Sequence, residues 1–190
     1  IGGSKNDGIN ESGANNINGN KLCYFYADEY REEITLDSFG NCYVASSSSS
    51  IDFPLLNPSQ ATIGGLQDAV AFKLNSNLTS LLWSTYIGGS DDDAGYSIQL
   101  NNQEQALICG GTISNDLYTS SNSLNQNYGG NIDGFIQKHN TLNGNILASS
   151  YIGDSGFNQC YFVQVDINDN VYLYGLTNSP YSIYPSSVYN

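Results

Sequence analysis

The sequence contains no methionine, one histidine, four cysteines and only five lysine and arginine residues in 190. Eighteen acids oppose these five bases, so the formal net charge is −13. A surface this acidic repels phosphate groups, which argues against nucleic acid or an anionic membrane surface as a partner. No apolar run approaches the roughly 20 residues that a membrane-spanning helix needs, so we expect no membrane insertion.

The four cysteines show neither a CxxC spacing nor a companion histidine, which argues against a zinc site. They are Cys23, Cys42, Cys109 and Cys160. Their apolar neighbours favour buried free thiols, with a single disulfide as the alternative. Cys42 and Cys109 lie on equivalent strands of successive units, but at different positions along these strands. We therefore expect their Cα atoms to be too far apart for a disulfide bridge.

Charged residues make up only 12% of the chain, about half the usual share, while 39% is hydrophobic. Twenty glycines and fifteen tyrosines are typical of a turn-rich β protein. No segment keeps a 3.6-residue apolar period between helix caps, so helices should be scarce. The composition therefore predicts an all-β fold.

An internal repeat of about 65 residues runs through the chain. The segment "LDSFGNCYVASSSSS" begins at Leu36, "LNNQEQALICGGTIS" at Leu100 and "VDINDNVYLYGLTNS" at Val165. The segments "GGLQDAVAFKLN" and "GGNIDGFIQKHN" begin at Gly64 and Gly129, again 65 residues apart. Because separate landmarks keep one period, we divide residues 1–190 into units that begin near residues 1, 86 and 151.

The first unit is longer than the others. Ile87 and Leu100 are 13 residues apart, whereas Ile1 and Leu36 are 35 apart, so 22 residues have been added. We place this insertion at about residues 4–26, which begin rich in Asn and Gly and read as a long loop.

Each unit contains about four short runs of Val, Ile, Tyr, Phe and Leu bounded by turn residues. They are represented by Ser97–Leu100, Ala106–Gly110, Ala69–Leu74 and Leu81–Ile87. Four antiparallel strands at a fixed spacing are typical of a β-propeller blade. The sequence predicts a partial β-propeller of about three four-stranded antiparallel blades. Since closed propellers have about four to eight blades, we expect the chain to be a segment of a longer propeller.

Four segments together resemble the SBBP β-propeller repeat, a family named for seven-bladed propellers. They are "STYIGGSDDDAGYSI", "DSFGNCYVASS", "SIDFP" and "GGLQDAVAFKLN". The resemblance is most exact from Asp37 to Gly89. The second unit departs from the family pattern, with Glu104-Gln105 where Gly-Asn is expected, and Asp154 replaces a glycine in the third.

This resemblance implies a secreted or surface-exposed bacterial protein, of the kind common in Bacteroidota and often exported by the type IX system. It implies no activity, because propellers serve as scaffolds for many functions. We therefore expect a non-catalytic segment that mediates interaction or adhesion within a larger secreted protein. The alternatives are an accessory propeller of a carbohydrate-active enzyme and a structural spacer that presents neighbouring domains.

No catalytic constellation is visible in the sequence. The single histidine, His139, occupies the repeat position of Leu74, which favours a structural role. A glycosidase needs two positioned carboxylates, and no acidic pair is marked by its spacing. We therefore do not expect an enzyme.

Topology predicts where a ligand would bind. In an up-and-down blade the long connections, at residues 47–65, 88–96 and 112–130, share one end with the insertion. Loops on a rigid scaffold are where binding residues concentrate. The acidic residues of this long-loop face are Asp7, Glu11, Asp52, Asp91, Asp92, Asp93 and Asp116. They favour a cationic or carbohydrate partner at the cell surface.

Ca²⁺ is the one cofactor that these residues suggest. It would bind at Asp91 and Asp93, since carboxylate oxygens are its preferred ligands. The alternative is that these aspartates are turn residues whose side chains accept backbone N–H groups.

Overall fold

A computed structural model describes residues 1–10, 22 and 32–178, and this part of the chain contains strands and turns but no helix. The strands are β1 (Glu33–Leu36), β2 (Cys42–Ser48), β3 (Asp68–Leu74), β4 (Leu81–Ile87), β5 (Asp93–Leu100), β6 (Gln105–Thr112), β7 (Asp133–Asn140), β8 (Ile146–Ile152), β9 (Asn158–Val165) and β10 (Val171–Thr177).

The strands form three antiparallel sheets in chain order. The first sheet has the order β1-β2-β3-β4, the second β5-β6-β7-β8, and β9 pairs with β10 in the third. Within each sheet, strands that pair are therefore consecutive in the sequence. The predictions of an all-β fold and of antiparallel four-stranded units are confirmed.

Each sheet begins with a tight hairpin that is fixed by one side chain. Asp37 Oδ1 accepts hydrogen bonds from the backbone N–H groups of Phe39 and Asn41, at 3.0 and 2.9 Å. Asn101 and Asp166 repeat this arrangement in the other two sheets. Asx side chains that bond the backbone two residues onward stabilise such turns. The segments "DSFGN" and "DINDN" thus form the first hairpins of the first and third sheets.

The sheets pack face to face, because alternate residues of a strand point to opposite sides. On β6, Ala106 and Ile108 join a buried core with Tyr43 and Ala71 of the first sheet. Leu107 and Cys109, which alternate with them, join a second core with Val163 of β9 and other residues of the third sheet. The second sheet therefore has a buried face on each side.

A stacked aromatic pair lies at the junction of the first and second sheets. The rings of Trp83 on β4 and His139 on β7 are 6.2 Å apart and inclined by only 5°. Tyr43 packs edge-on to Trp83 at 6.3 Å. All three side chains are fully buried.

The long connections lie along the outer strands instead of projecting from one end. The Ser84 backbone N–H on β4 donates to Leu56 O, and that of Tyr86 donates to Gln60 O. Residues 120–125 make the same kind of contact with Ser149 and Tyr151 on β8. These bonds pair backbone groups at the outer edge of each four-stranded sheet. Unpaired backbone groups at such an edge promote aggregation. Only the ends of these connections belong to the predicted long-loop face.

Two residues of the insertion, Asn10 and Leu22, are buried. Leu22 packs with Tyr96 of β5 and Tyr161 of β9, and its carbonyl accepts a hydrogen bond from Gln159 at 2.8 Å. Asn10 donates to the Tyr96 hydroxyl at 3.1 Å. The insertion is therefore anchored against the first strands of the second and third sheets.

Cys42, Cys109 and Cys160 are buried free thiols, in agreement with the absence of a Cys42–Cys109 bridge. Cys23 lies outside the described residues.

Candidate functional site

The predicted long-loop face is built around a hydrogen-bonded turn between the first and second sheets. Asp93 Oδ2 accepts hydrogen bonds from the Gly89 N–H at 2.8 Å and from Ser114 Oγ at 2.9 Å. Ser114 Oγ in turn accepts from the Asp91 N–H at 2.9 Å. Asp116 Oδ1 accepts from the Ser90 N–H at 2.7 Å. Aspartate side chains therefore hold this turn in place.

The same bonds recur at the start of the chain. Asp7 Oδ2 accepts from the Gly3 N–H at 2.6 Å and from Ser50 Oγ at 3.0 Å. Asp52 Oδ1 accepts from the Ser4 N–H at 2.7 Å. Residues 1–8 thus reproduce the turn at residues 87–94, and Asp7 forms an antiparallel bridge with Ser48 as Asp93 does with Thr112. Because residues 1–8 match residues 87–94, the insertion begins after Gly8 and not at residue 4 as predicted.

A second carboxylate, Asp68, lies beside this turn. Its oxygens accept hydrogen bonds from Gly64 N at 3.1 Å, Gly65 N at 3.2 Å and Gln60 Nε2 at 2.8 Å. Asp133 accepts from Gly129 N in the second sheet at 2.6 Å. Neither aspartate is among the site residues predicted from the sequence. The signal that could have found them is their shared place in the repeated "GGLQD" and "GGNID" segments.

The electrostatics of these aspartates differ with their surroundings. Burial raises the pKa of Asp68 and of Asp133 to about 6 in each case, in spite of the backbone N–H groups that bond them. Burial also raises the pKa of Asp93 well above its usual range, and the charge of Asp68 adds to this. In contrast, the hydrogen bond from the Ser4 backbone lowers the pKa of the exposed Asp52.

The predicted acidic residues form two groups. Asp7 and Asp52 lie together at the first sheet, where they accept the backbone N–H groups of Gly3 and Ser4. Asp91, Asp92, Asp93 and Asp116 lie at the junction of the first and second sheets, and Glu11 lies outside the described residues. Several of these carboxylates accept backbone N–H groups, which is the turn role considered above. Within the described ranges no three His, Cys, Asp or Glu side chains are grouped as metal ligands. Calcium at Asp91 and Asp93 stays a prediction.

His139 is enclosed in the junction of the two four-stranded sheets. Its Nδ1 lies 2.9 Å from the Gly144 carbonyl oxygen and its Nε2 lies 3.0 Å from Gln137 Oε1. Burial lowers its pKa to about 4, so the ring is neutral at pH 7. Both ring nitrogens therefore contact fixed groups of the protein.

A groove of about 320 Å³ lies outside the predicted face, between the second sheet and the turn that joins β9 to β10. Leu107, Ile136 and Ala148 supply apolar lining, and Lys138 is the basic residue among the lining residues. Amide side chains of the short turn at residues 101–105 line the other end. The groove could not be predicted from the sequence, because it is formed by the packing of the sheets and not by a motif.

Comparison with known proteins adds no relative: no protein-family model matches the chain, and no curated protein matches it either. No helix long and apolar enough to cross a membrane occurs among the residues described. The resemblance to the SBBP repeat therefore depends on the quoted segments alone.

Proposed function

We propose that this chain is part of a β-propeller in which each sheet is one blade, as the repeat predicts. The support comes from sheets whose strands follow chain order and which pack face to face in succession. Blades of this kind present their loops from a rigid scaffold.

The observation that carries this proposal is that the two ends of the stack expose complementary faces. Ile34 on β1 is 62% exposed, whereas Ile98, at the same repeat position on β5, is fully buried against the first sheet. At the other end, Tyr172 on β10 is 57% exposed, whereas Tyr43, its equivalent on β2, is fully buried against the second sheet. Further sheets of the same repeat would cover both ends in the way that the internal sheets cover each other.

The groove beside Leu107 fits the same interpretation. Its lining residue Ala148 is the repeat equivalent of Trp83, which is covered by His139 and the turn at Gly144. The corresponding hairpin of a completed third sheet would occupy the groove. We therefore assign the groove to blade packing and not to a ligand.

The function that this architecture supports best is interaction or adhesion at the bacterial cell surface, without catalysis. The loops at the junction are held by their own aspartates, so they present a fixed surface. Leu66 is 82% exposed, and its backbone N–H donates to Asp92 Oδ1 at 3.1 Å. Ile51 is 74% exposed and precedes Asp52 in the other group of acids. Apolar groups beside acids favour a cationic protein surface or a carbohydrate as the partner.

Binding by the full-length protein tests this proposal on arrays of glycans and of surface proteins. The double variant Asp91→Asn, Asp116→Asn removes two charges but keeps the oxygen that accepts the Ser90 N–H. We expect it to weaken binding by about tenfold or more, with a smaller salt dependence. The control Glu104→Gln, Asp169→Asn removes two charges at the short-turn end and should leave binding unchanged.

Other outcomes contradict the proposal. Loss of binding in the control alone places the site at the short-turn end. Turnover of a bound glycan into product identifies the propeller as an accessory module of an enzyme. The absence of any partner on both arrays favours a spacer.

A further inference from the structure

In the first sheet a lysine is held by a carboxylate and a phenol. Lys73 Nζ lies 3.3 Å from Asp37 Oδ2 and 4.8 Å from the centre of the Tyr43 ring. The same carboxylate oxygen accepts the Asn41 side chain at 2.9 Å and the Tyr43 hydroxyl at 3.1 Å. Lys73 on β3 is paired with Tyr43 on β2, so the third strand of the sheet supplies the cation of this lysine site.

The third sheet repeats the lysine site without a lysine. Asp166 Oδ2 accepts the Asn170 side chain at 2.8 Å and the Tyr172 hydroxyl at 3.1 Å. The hydrogen bond from Asn170 lowers the pKa of Asp166, so this carboxylate is charged at neutral pH. Among the described residues no basic group is paired with Asp166, and Tyr172 is exposed.

The edge of the third sheet beside this site is open in the part of the chain that the structure describes. There β10 pairs with β9 alone, whereas its equivalents β2 and β6 each pair with a third strand. A groove of about 150 Å³ has Ile152 of β8 and Leu173 and Leu176 of β10 among its lining residues. In the second sheet, Phe135 of the third strand shares a buried core with Ile87, the repeat equivalent of Ile152. The groove is therefore placed to take an apolar side chain of a third strand.

The repeat indicates which strand fits this edge. Lys73 on β3 and Lys138 on β7 hold the same repeat position, three residues after Val70 and Phe135 respectively. Residues three apart on a strand point to opposite faces, so one strand can fill the groove and also reach Asp166. Both lysines belong to sheets of their own, and residues 179–190 contain no basic residue.

We propose that the outer edge of β10 is a docking site for a strand with a lysine three residues after an apolar residue, the third strand of a further unit of this repeat. Its backbone pairs with β10, as in other complexes formed by strand addition. Its ammonium group lies between the Asp166 carboxylate and the Tyr172 ring. This inference rests on the proposed packing of the sheets as blades, and it adds the residues that select the partner.

A synthetic peptide of residues 126–153, which contains β7 and β8, tests the docking on the 190-residue chain. Binding is measured by the fluorescence anisotropy of the labelled peptide. The peptide variant Lys138→Met loses the charge of a side chain of similar length. It should bind the wild-type chain about three- to tenfold more weakly than the unmodified peptide does.

The chain variant Asp166→Asn identifies the carboxylate that the lysine contacts. It should fold, because Asn101 forms the same turn in the second sheet. The unmodified and the Lys138→Met peptides should bind this variant equally, since their difference depends on the ion pair. The control Asp91→Asn removes a charge from the loop before β5 and should keep the wild-type difference. Equal binding of the two peptides to the wild-type chain would overturn the inference.

A covalent form of the test decides the question if the isolated peptide does not bind. Asn190 holds the repeat position of Asn125, so a second copy of residues 126–153 appended after Asn190 continues the third sheet in register, at a high effective concentration. The copy should raise the melting temperature. Lys138→Met within the copy should lower it again, but not when Asp166→Asn is present.

Failure of this inference can be told apart from failure of the propeller. An appended copy that does not raise the melting temperature, or a rise that Lys138→Met leaves unchanged, would overturn the docking site. Sheets related by one rotation axis would still support the propeller in that case.

Discussion

Replacing His139 with leucine is expected to remove a large part of the protein's sensitivity to acid. The ring is buried against Trp83, and burial lowers its pKa from 6.5 to about 4. The unfolded chain therefore binds a proton at a higher pH than the folded chain does. Stability is lost as the pH falls from 6.5 towards 4, by about 3 kcal/mol in total.

The substitution has a cost of its own at neutral pH. Leucine makes neither of the contacts with Gly144 O and the Gln137 side chain, and this leaves buried polar groups without partners. The cost is about 1–3 kcal/mol. Leucine is otherwise compatible with the position, since Leu74 occupies it in the first sheet. His139→Leu should thus be less stable than wild type at pH 7, and this difference should shrink or reverse by pH 4.

Urea unfolding of both proteins at a series of pH values measures this difference. Trp83 is the only tryptophan of the chain, and it stacks on residue 139, so its fluorescence reports the junction directly. Circular dichroism supplies a second probe of unfolding. The buried aspartates are the same in both proteins, so their contributions cancel in the comparison. A stability difference that stays constant from pH 7 to pH 4 would refute the reasoning.

Three further predictions concern turns, packing and thiols. Glu104→Gly should raise stability by about 0.5–1 kcal/mol in a thermal melt, because Glu104 has a φ of 55° that favours glycine; a lower melting temperature would contradict this. Gly64→Ala should lower stability by at least about 2 kcal/mol, because its Cβ would lie 1.7 Å from the Gly89 carbonyl oxygen; unchanged urea unfolding would show that the loops give way. Alkylation should label Cys42 and Cys109 only after denaturation, as measured by intact mass. Labelling of both sites in the native chain would contradict their burial.

Much of the fold follows from local signals in the sequence. The turn at Asp37–Asn41 needs only an Asx side chain and a residue that tolerates a positive φ, and both recur at each repeat. The strands that follow are short apolar runs of fixed spacing, so their number and pairing were predictable. Even at Glu104, where the glycine of the pattern is missing, the backbone keeps a φ of 55°.

The candidate site was less predictable, because its side chains are directed by long-range contacts. Asp91, Asp92 and Asp93 are adjacent in the sequence, but Asp91 is exposed and Asp93 is fully buried. Nothing local distinguishes them, since the surroundings of Asp93 include Ser114, which follows β6, and Asp68 of β3. The position of residues 56–60 along β4 likewise depends on backbone bonds that no sequence motif marks.

A crystal structure of the chain measures the central claim most directly, through the rotation that relates successive sheets. If the sheets are propeller blades, the rotation that carries β1–β4 onto β5–β8 should also carry β5–β6 onto β9–β10, about the same axis. That axis should run beside the first strands, near Leu22. Sheets related by a translation, or by rotations about different axes, would contradict the propeller.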